Sequence, residues 1–281
     1  MGLPDAATRH DQCVAIAEAA AELLRSRFGD PGQVRGKGTA EEIERMHDVV
    51  TEVDELSERL VLDRIAALNP DATILAEEGG LTTATGDRVD VDPADAEEFW
   101  LVDPLDGTIN FAHDVPHFCV SIACWRRGHP VAGAIVDPMV GETFSFEQHP
   151  DGTAIARHNG RVITLSDEVV AARSLLAVGG GGPSLVPLIR RFRSWRRLGS
   201  AGLALAWTGV GRCGAYVQTG LLHPWDWAVG VPFIEAAGGR VTDGGGLDWT
   251  PRLSGTTGVI AASPAIHAEI ADLAAAAGAS G

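Results

Sequence analysis

Phe99-Trp100-Leu101-Val102-Asp103-Pro104-Leu105-Asp106-Gly107-Thr108 is the stretch on which the reading of this chain turns. Phe99 to Val102 is a short apolar run of the kind that forms a buried strand, and it runs straight into two acids. Pro104 fixes its own φ and holds Asp103 extended. Asp103 and Asp106 then flank one point, with the Leu105 carbonyl available beside them as a neutral oxygen. Gly107 lets the backbone approach a ligand closely. If Thr108 opens a helical turn, the amides of Gly107 and Thr108 face outward as a seat for phosphate, and the Thr108 hydroxyl is free to orient a water.

Three further acidic sites stand at the edges of expected elements: Asp54 in Val49-Val50-Thr51-Glu52-Val53-Asp54, the pair Glu77-Glu78, and Asp226 between Trp225 and Trp227. Strand ends and helix starts are where a rigid scaffold presents functional side chains. Carboxylates brought together repel, so they need protons, arginines or metal ions. An all-oxygen set favours Mg²⁺ or Mn²⁺ over Zn²⁺. An EF-hand loop is excluded, because Pro104 and Leu105 stand at early positions, Thr108 at the sixth and Asp114 at the twelfth. The Asp-x-Asp-Gly-Thr signature of the haloacid-dehalogenase phosphatases is excluded too, since one residue too many separates the acids.

Hydrophobic periodicity and turn residues give the frame. Helices are expected over 12–28, 51–68, 184–193, 202–210, 226–237 and 264–278. Strands are expected over 72–76, 99–102, 120–126, 130–136, 142–147, 175–178, 214–219, 240–242 and 259–261, and a polar surface loop over 81–98. This is an α/β (α+β) chain, divided as an N-terminal α+β subdomain (1–150) that carries most of the acids and a C-terminal α/β subdomain (151–281) that supplies Asp226. The two are expected to pack as one unit.

Among the 281 residues, 38 acids face 22 bases, a formal net charge of −16, which argues against nucleic acid and anionic membranes as partners. An anionic substrate would need the local sign reversed, which carboxylate-bound divalent cations accomplish. No apolar run approaches the ~18 residues of a membrane span, and no basic region followed by an apolar run marks a secretory signal near Met1. Cys13, Cys119, Cys124 and Cys213 lack C-x-x-C spacing and suit reduced core thiols, so a cytoplasmic location is expected.

Taken together, these segments resemble the inositol monophosphatase family, Mg²⁺-dependent and lithium-sensitive phosphatases. The likeness rests on Asp48-Val49-Val50-Thr51-x-x-Asp54, on Glu77-Glu78-Gly79, on Trp100 through Phe111, on Trp225-Asp226-Trp227-Ala228-Val229-Gly230 and on Glu235-Ala236-Ala237-Gly238-Gly239. It spans about residues 12–265. The resemblance implies a layered αβαβα sandwich, commonly a homodimer. It implies two or three Mg²⁺ per site: one on Glu77, Asp103 and the Leu105 carbonyl, a second on Asp103, Asp106 and Asp226, and a looser third reaching Glu77 through water. Glu77 and Thr108, with Asp54 nearby, would activate the attacking water. Asp106, Gly107, Thr108, Ser200, Ala201, Thr219 and Asp226 would meet the substrate, a small phosphorylated metabolite.

Two departures bear on the substrate. Lys37, the only lysine, lies eleven residues before Asp48 where relatives often have about five, which leaves open whether it reaches the site. Relatives that hydrolyse inositol phosphate often carry Glu seven residues before the acid of the Trp-Asp pair, and counting places Thr219 there. The leading reading is therefore hydrolysis of a small polyol or sugar phosphate such as inositol 1-phosphate. The same chemistry on histidinol phosphate, fructose 1,6-bisphosphate or 3′-phosphoadenosine 5′-phosphate is the alternative, and an inactive metal-binding interaction protein is a third. The bland readings are a solvated helix face for Arg190 to Arg197, with a contact for a second anionic group on the substrate or across a dimer as the alternative, a structural cap for Asp48, core or hydrogen-bonding roles for His113 and His117, a structural role for His223, and packing for Trp225 and Trp227.

Overall fold

A computed structural model describes residues 3–37, 49–90, 92–93, 95–180 and 185–278, with side chains to residue 274. Asp48, expected as a cap, lies outside the described residues, as do most of the polar segment before it and the start of the helix expected at 184.

The chain opens with α1 (Ala6–Arg27), capped by the Asp5 carboxylate, which accepts from the Thr8 amide at 2.8 Å. Strands β1 (Val34–Gly36) and β2 (Val49–Thr51) pair antiparallel and lead into α2 (Glu52–Leu68). Next come β3 (Thr73–Ala76), β4 (Gly80–Thr83), β5 (Phe99–Asp106), the short α3 (Thr108–Ala112), β6 (Cys119–Arg126), β7 (His129–Asp137), β8 (Glu142–Gln148), β9 (Ala154–His158) and β10 (Arg161–Val162). These strands form one sheet in the order β10-β9-β8-β7-β6-β5-β3-β4, which runs on to Val162. Then follow β11 (Leu175–Val178), α4 (Val186–Ile189), β12 (Ser194–Arg196), α5 (Ala201–Gly209), β13 (Ala215–Leu222), α6 (Pro224–Trp227), α7 (Gly230–Ala236), β14 (Arg240–Asp243), β15 (Thr257–Ala262) and α8 (Pro264–Gly278). The second sheet has the order β12-β11-β13-β15-β14.

Alternation along β5 builds the layers. Trp100 and Val102 face a core shared with α1 and α2, whereas Phe99 and Leu101 face a second core holding Leu203 and Leu205 of α5, Phe233 and Ile234 of α7, and Tyr216 and Val259 of the second sheet. A third core lies between that sheet and α4 and α8, around Leu188, Val217, Ile260 and Ile270. Helices, sheet, helices, sheet, helices follow one another as five layers, the αβαβα sandwich. Because β5 is buried on both faces, it reads as continuous apolar sequence rather than an alternation. Among the described residues no helix is long and apolar enough to cross a membrane. All four cysteines are free and buried.

Three expectations are corrected. The loop expected over 81–98 begins as strand β4, paired with β3 from Ala76↔Gly80 to Thr73↔Thr83. The helix expected over 184–193 is the single turn Val186–Ile189, and Ser194 to Arg196 form a parallel edge strand against β11, so the arginine run is not one helix face. The helix expected over 226–237 is two pieces, with Asp226 inside the first.

Candidate active site

Asp103 and Asp106 occupy the C-terminal end of β5, and the register against β6 shifts between them, so the Pro104-Leu105 step departs from the ladder. That irregularity turns both acids toward one cavity of about 170 Å³, whose lining also takes in Glu77, Asp226, Leu105 and Thr108. Asp103 is buried; its Oδ1 accepts from the Leu105 amide at 3.1 Å, and its Oδ2 has no hydrogen-bond donor among the described residues. Asp106 is held by the start of α5: Oδ2 accepts from Ser200 Oγ at 2.6 Å and the Gly202 amide at 2.6 Å, and Oδ1 from the Ala201 amide at 3.2 Å. A carboxylate at a helix N-terminus is favoured by the unpaired amides there. Ser200 is at once the cap of α5, accepting from the Leu203 amide at 3.2 Å.

Gly107 caps α3 with φ +99°, and a Cβ there would stand 3.2 Å from the His117 carbonyl and 3.3 Å from the Gly199 carbonyl. Both its conformation and its neighbours require glycine. Thr108 is the first residue of the helix, as expected. Its hydroxyl lies 2.9 Å from Asp54 Oδ1 and 3.1 Å from the Leu105 carbonyl. Asp54 is fixed from behind, by a capping box in which its Oδ2 accepts from the Thr51 amide at 2.9 Å while Thr51 Oγ1 accepts from the Asp54 amide at 3.4 Å.

Glu77 sits in the β3–β4 turn, its amide bonded to the Val102 carbonyl at 3.1 Å. Lys37, carried there by the pairing of β1 with β2, settles the question of its reach: Nζ lies 2.5 Å from Glu77 Oε1 and 2.6 Å from Glu78 Oε1. Behind this turn Glu58 Oε2 accepts from the Glu78 amide at 3.0 Å. Asp226 is oriented by the His223 amide, which donates to Oδ2 at 2.7 Å. His223 stacks on Trp225, and Trp227 is buried edge-on against Trp125 and Trp249.

Burial, then the charges of Glu77, Asp106 and Asp226, hold Asp103 well above the usual carboxylate range. Burial and then Asp106 and Glu77 do the same to Asp226. Burial also raises Asp106, against the Ser200, Gly202 and Ala201 donors that lower it. Glu77 is raised by burial in spite of Lys37. Burial opposes the charge on Lys37, and the two glutamates overcome it and hold the ammonium above its ordinary range. Among the described residues, as they are placed, no group of three or more His, Cys, Asp or Glu side chains is arranged to hold a metal ion. Each carboxylate spends an oxygen on a protein donor, so the fit to a cation lies in the donors. They are hard oxygens, mutually repelling, with one buried carboxylate oxygen left unbonded.

Residues 6–279 match the sequence profile of the inositol monophosphatase family. The chain belongs to that family. It is 35% identical to the fructose-1,6-bisphosphatase/inositol-1-monophosphatase of Thermotoga maritima over 205 residues, 72% of this chain and 73% of the relative. It is 32% identical to the inositol-1-monophosphatase of Synechocystis over 266 residues, 91% of this chain and 84% of the relative. An inositol monophosphatase structure from Thermotoga maritima superposes with a TM-score of 0.81 at 28% identity, covering 97% of this chain and 99% of that one. The sandwich is the family's, and the protein is a phosphoric monoester hydrolase of inositol monophosphatase type.

Within this phosphatase, Glu77, Asp103, Leu105, Asp106, Gly107, Thr108 and Asp226 share the first cavity, with Asp54 directly behind Thr108. Ser200 and Ala201 join Asp106 on a neighbouring hollow. Thr219 lines neither; it is exposed on β13, and its backbone packs against Gly244 and Gly258. The residue that does line the second hollow is Gln218, which counting back from Asp226 missed. The register of β13 against β15 shifts between Gln218 and Leu222, and Leu221 takes φ +71°. Between those pairs β13 advances four residues while β15 advances two, so two residues are bulged out and counting back from Asp226 no longer tracks the wall. The signal in the sequence was the Gly220-Leu221-Leu222 step. Lys37 was the other residue whose place the sequence left open.

Proposed function

We propose that this phosphatase is Mg²⁺-dependent and releases phosphate from a small polyol or sugar phosphate by attack of water on phosphorus. The observation that carries the reading is the gathering of Glu77, Asp103, Asp106 and Asp226 on one cavity with the Thr108–Asp54 pair in its wall. Glu77, Asp103 and the Leu105 carbonyl would hold one ion, and Asp103, Asp106 and Asp226 a second; a looser third would reach Glu77 through water. Mn²⁺ suits the same oxygens. When bound, the ions supply positive charge to the phosphate oxygens and to the leaving oxygen, and they acidify water.

The chain's own groups do the rest. Asp54 accepts the Thr108 hydroxyl proton, so the lone pairs of Thr108 Oγ1 turn to the cavity and accept from the attacking water, fixing its direction. Glu77, its ordinary acidity already weakened by burial, is the base that receives the water's proton. The amides of Gly107 and Thr108 at the start of α3 donate to the phosphate oxygens as charge accumulates there. Ser200 and Ala201 keep Asp106 in place. The resemblance adds inhibition by Li⁺ and a cytoplasmic homodimer as expectations.

Phosphate release across a panel of phosphomonoesters with Mg²⁺ tests this. Asp103→Asn and Asp226→Asn should each lose at least ~10²-fold in kcat, because transition-state charge goes uncompensated. Near-normal rates in both at saturating Mg²⁺ would sink the ligand assignment. Absence of turnover on every ester would favour the inactive metal-binding protein. The Thermotoga relative named for both fructose-1,6-bisphosphatase and inositol-1-monophosphatase keeps bisphosphates in the panel as a second reading.

A further inference from the structure

A second hollow of about 260 Å³ adjoins the carboxylate cavity and shares Asp106, Ile109, Gly199 and Asp226 with it. Its remaining polar side chains are Arg197, Ser200, Tyr216 and Gln218, and Ser200 is already tied to Asp106. Among the described residues, Arg197 is the one cationic side chain that lines either hollow, and it makes no hydrogen bond or ion pair with the protein. Two other basic side chains are spent otherwise. Lys37 is tied to Glu77 and Glu78, and Arg196 donates to Ser194 Oγ at 3.0 Å and the Trp195 carbonyl at 2.8 Å.

Gln218 is held in place from both ends of its amide. Its Oε1 accepts from the Tyr216 hydroxyl at 2.5 Å, and its Nε2 donates to the Gly220 carbonyl at 2.9 Å. Gly179 locks that arrangement, since a Cβ there would fall 1.7 Å from Gln218 Oε1. The wall therefore offers a neutral, fixed amide and no carboxylate of its own to receive sugar hydroxyls. What it offers freely is a guanidinium at the exposed rim. A polyol hydroxyl gains little from that group over water. A second phosphate or a carboxylate gains paired, charge-assisted hydrogen bonds from its planar fork.

We propose that Arg197 makes this phosphatase selective for phosphate esters bearing a second anionic group, which its guanidinium receives in the second hollow. The proposal rests on the phosphatase reading above and names the substrate class of that same site. The scissile phosphate lies at the carboxylates and the second anion at Arg197, which keeps that anion off the acids.

Fructose 1-phosphate and fructose 1,6-bisphosphate carry the same scissile group and differ only in the second phosphate, so they make the test pair. The wild type should favour the bisphosphate in kcat/KM by at least ~10-fold, the scale of a hydrogen bond to a charged group. Arg197→Gln should lower kcat/KM for the bisphosphate at least ~10-fold more than for fructose 1-phosphate, through KM rather than kcat. Arg197→Lys, which keeps the charge but not the fork, should recover part of it. Equal treatment of the two esters by the wild type, or an equal loss on both in Arg197→Gln, overturns the proposal. Calorimetric titration with the bisphosphate reads the same contact without turnover, and a Kd unchanged by Arg197→Gln also overturns it. Release of phosphate from neither ester would count against the phosphatase reading, while the titration still decides the role of Arg197.

Discussion

Replacing Gly107 by alanine tests the geometry of the phosphate seat. At φ +99° an L side chain sits in the left-handed region, which costs about 1–2 kcal/mol. The new Cβ would also lie 3.2 Å from the His117 carbonyl and from Phe118 Cβ, and 3.3 Å from the Gly199 carbonyl. Two of these are backbone oxygens, which cannot yield by turning a rotamer, so overpacking adds about 1–2 kcal/mol. A loss of about 2–4 kcal/mol in a chain of this size lowers Tm by roughly 5–12 °C. Gly152→Ala is the control, because Gly152 has φ +89° and nothing within 4 Å of its would-be Cβ. It should show the backbone cost alone, roughly 2–6 °C. The strain at 107 pushes on the carbonyl of Gly199, next to the Ser200 that holds Asp106, and it moves the Gly107 and Thr108 amides. Phosphate release should therefore fall about tenfold or more in Gly107→Ala and stay normal in Gly152→Ala. Scanning calorimetry and a steady-state assay measure both. Equal Tm shifts in the two variants, or a Gly107→Ala enzyme with unaltered kcat, would refute the reasoning.

Thr108→Val keeps the shape but removes the hydroxyl on Asp54, and it should cost about 10²-fold in kcat with little change in KM; a KM effect alone would make Thr108 a binding residue. Glu77, Asp103, Asp106 and Asp226 all have raised folded-state pKa values. Their stabilisation is complete at low pH and is lost as pH climbs from the ordinary carboxylate value through the raised one, so in chelator Tm should fall as pH rises above the ordinary carboxylate range. Mg²⁺ at about 100 times its Kd should restore about 2.7 kcal/mol, and Asp103→Asn in chelator should melt above the wild type; a lower Tm would mean that Asp103 does not carry the repulsion. Glu58 is pushed up to about 7 by burial, against the Glu78 and Gly79 amides that pull it down. Its share of the same slope, on the order of 3 kcal/mol at most, lies between pH 4.5 and about 7. Glu58→Gln should flatten that window, and an unchanged slope there would place the titration elsewhere.

Those parts of the site that depend on local rules were legible in the sequence. A strand buried on both faces leaves an unbroken apolar run, and Pro104 and Gly107 mark where it stops, so Asp103, Asp106 and the start of α3 fell where the residues put them. The Thr51–Asp54 capping box likewise sits at the helix start expected from Thr51. What stayed hidden depends on pairing between distant segments. Gly36 opposite Val49 brings Lys37 to Glu77, and no count of residues from Asp48 contains that register. A two-residue bulge after Gln218 breaks the spacing between the wall residue and Asp226, so a count back from Asp226 misreads it. Three residues, Ser194 to Arg196, are too few for a period to tell a strand from a turn of helix, and only β11 decides it. The break between α6 and α7 falls in Ala228-Val229, whose apolar character continues the helical pattern on either side.

Asp106 ties these levels together. It ends a strand of the first sheet, yet its partners Ser200, Ala201 and Gly202 open α5, which lies in the middle layer against the second sheet. The carboxylate thus does for α5 what a capping side chain does, satisfying amides that the helix leaves unpaired. A buried acid repelled by Asp103 and Asp226 would otherwise turn away, and the helix end supplies the compensation that keeps it facing them. That same step, Arg197 to Gly202, runs from the free guanidinium on the second hollow to the acid shared by both cavities. The contact that anchors Asp106 and the contact offered to the far end of a substrate lie on one short stretch of chain. On the proposal above, positioning of the carboxylates and choice of ester would both run through the junction between β12 and α5 rather than through the strand end where the acids themselves were read.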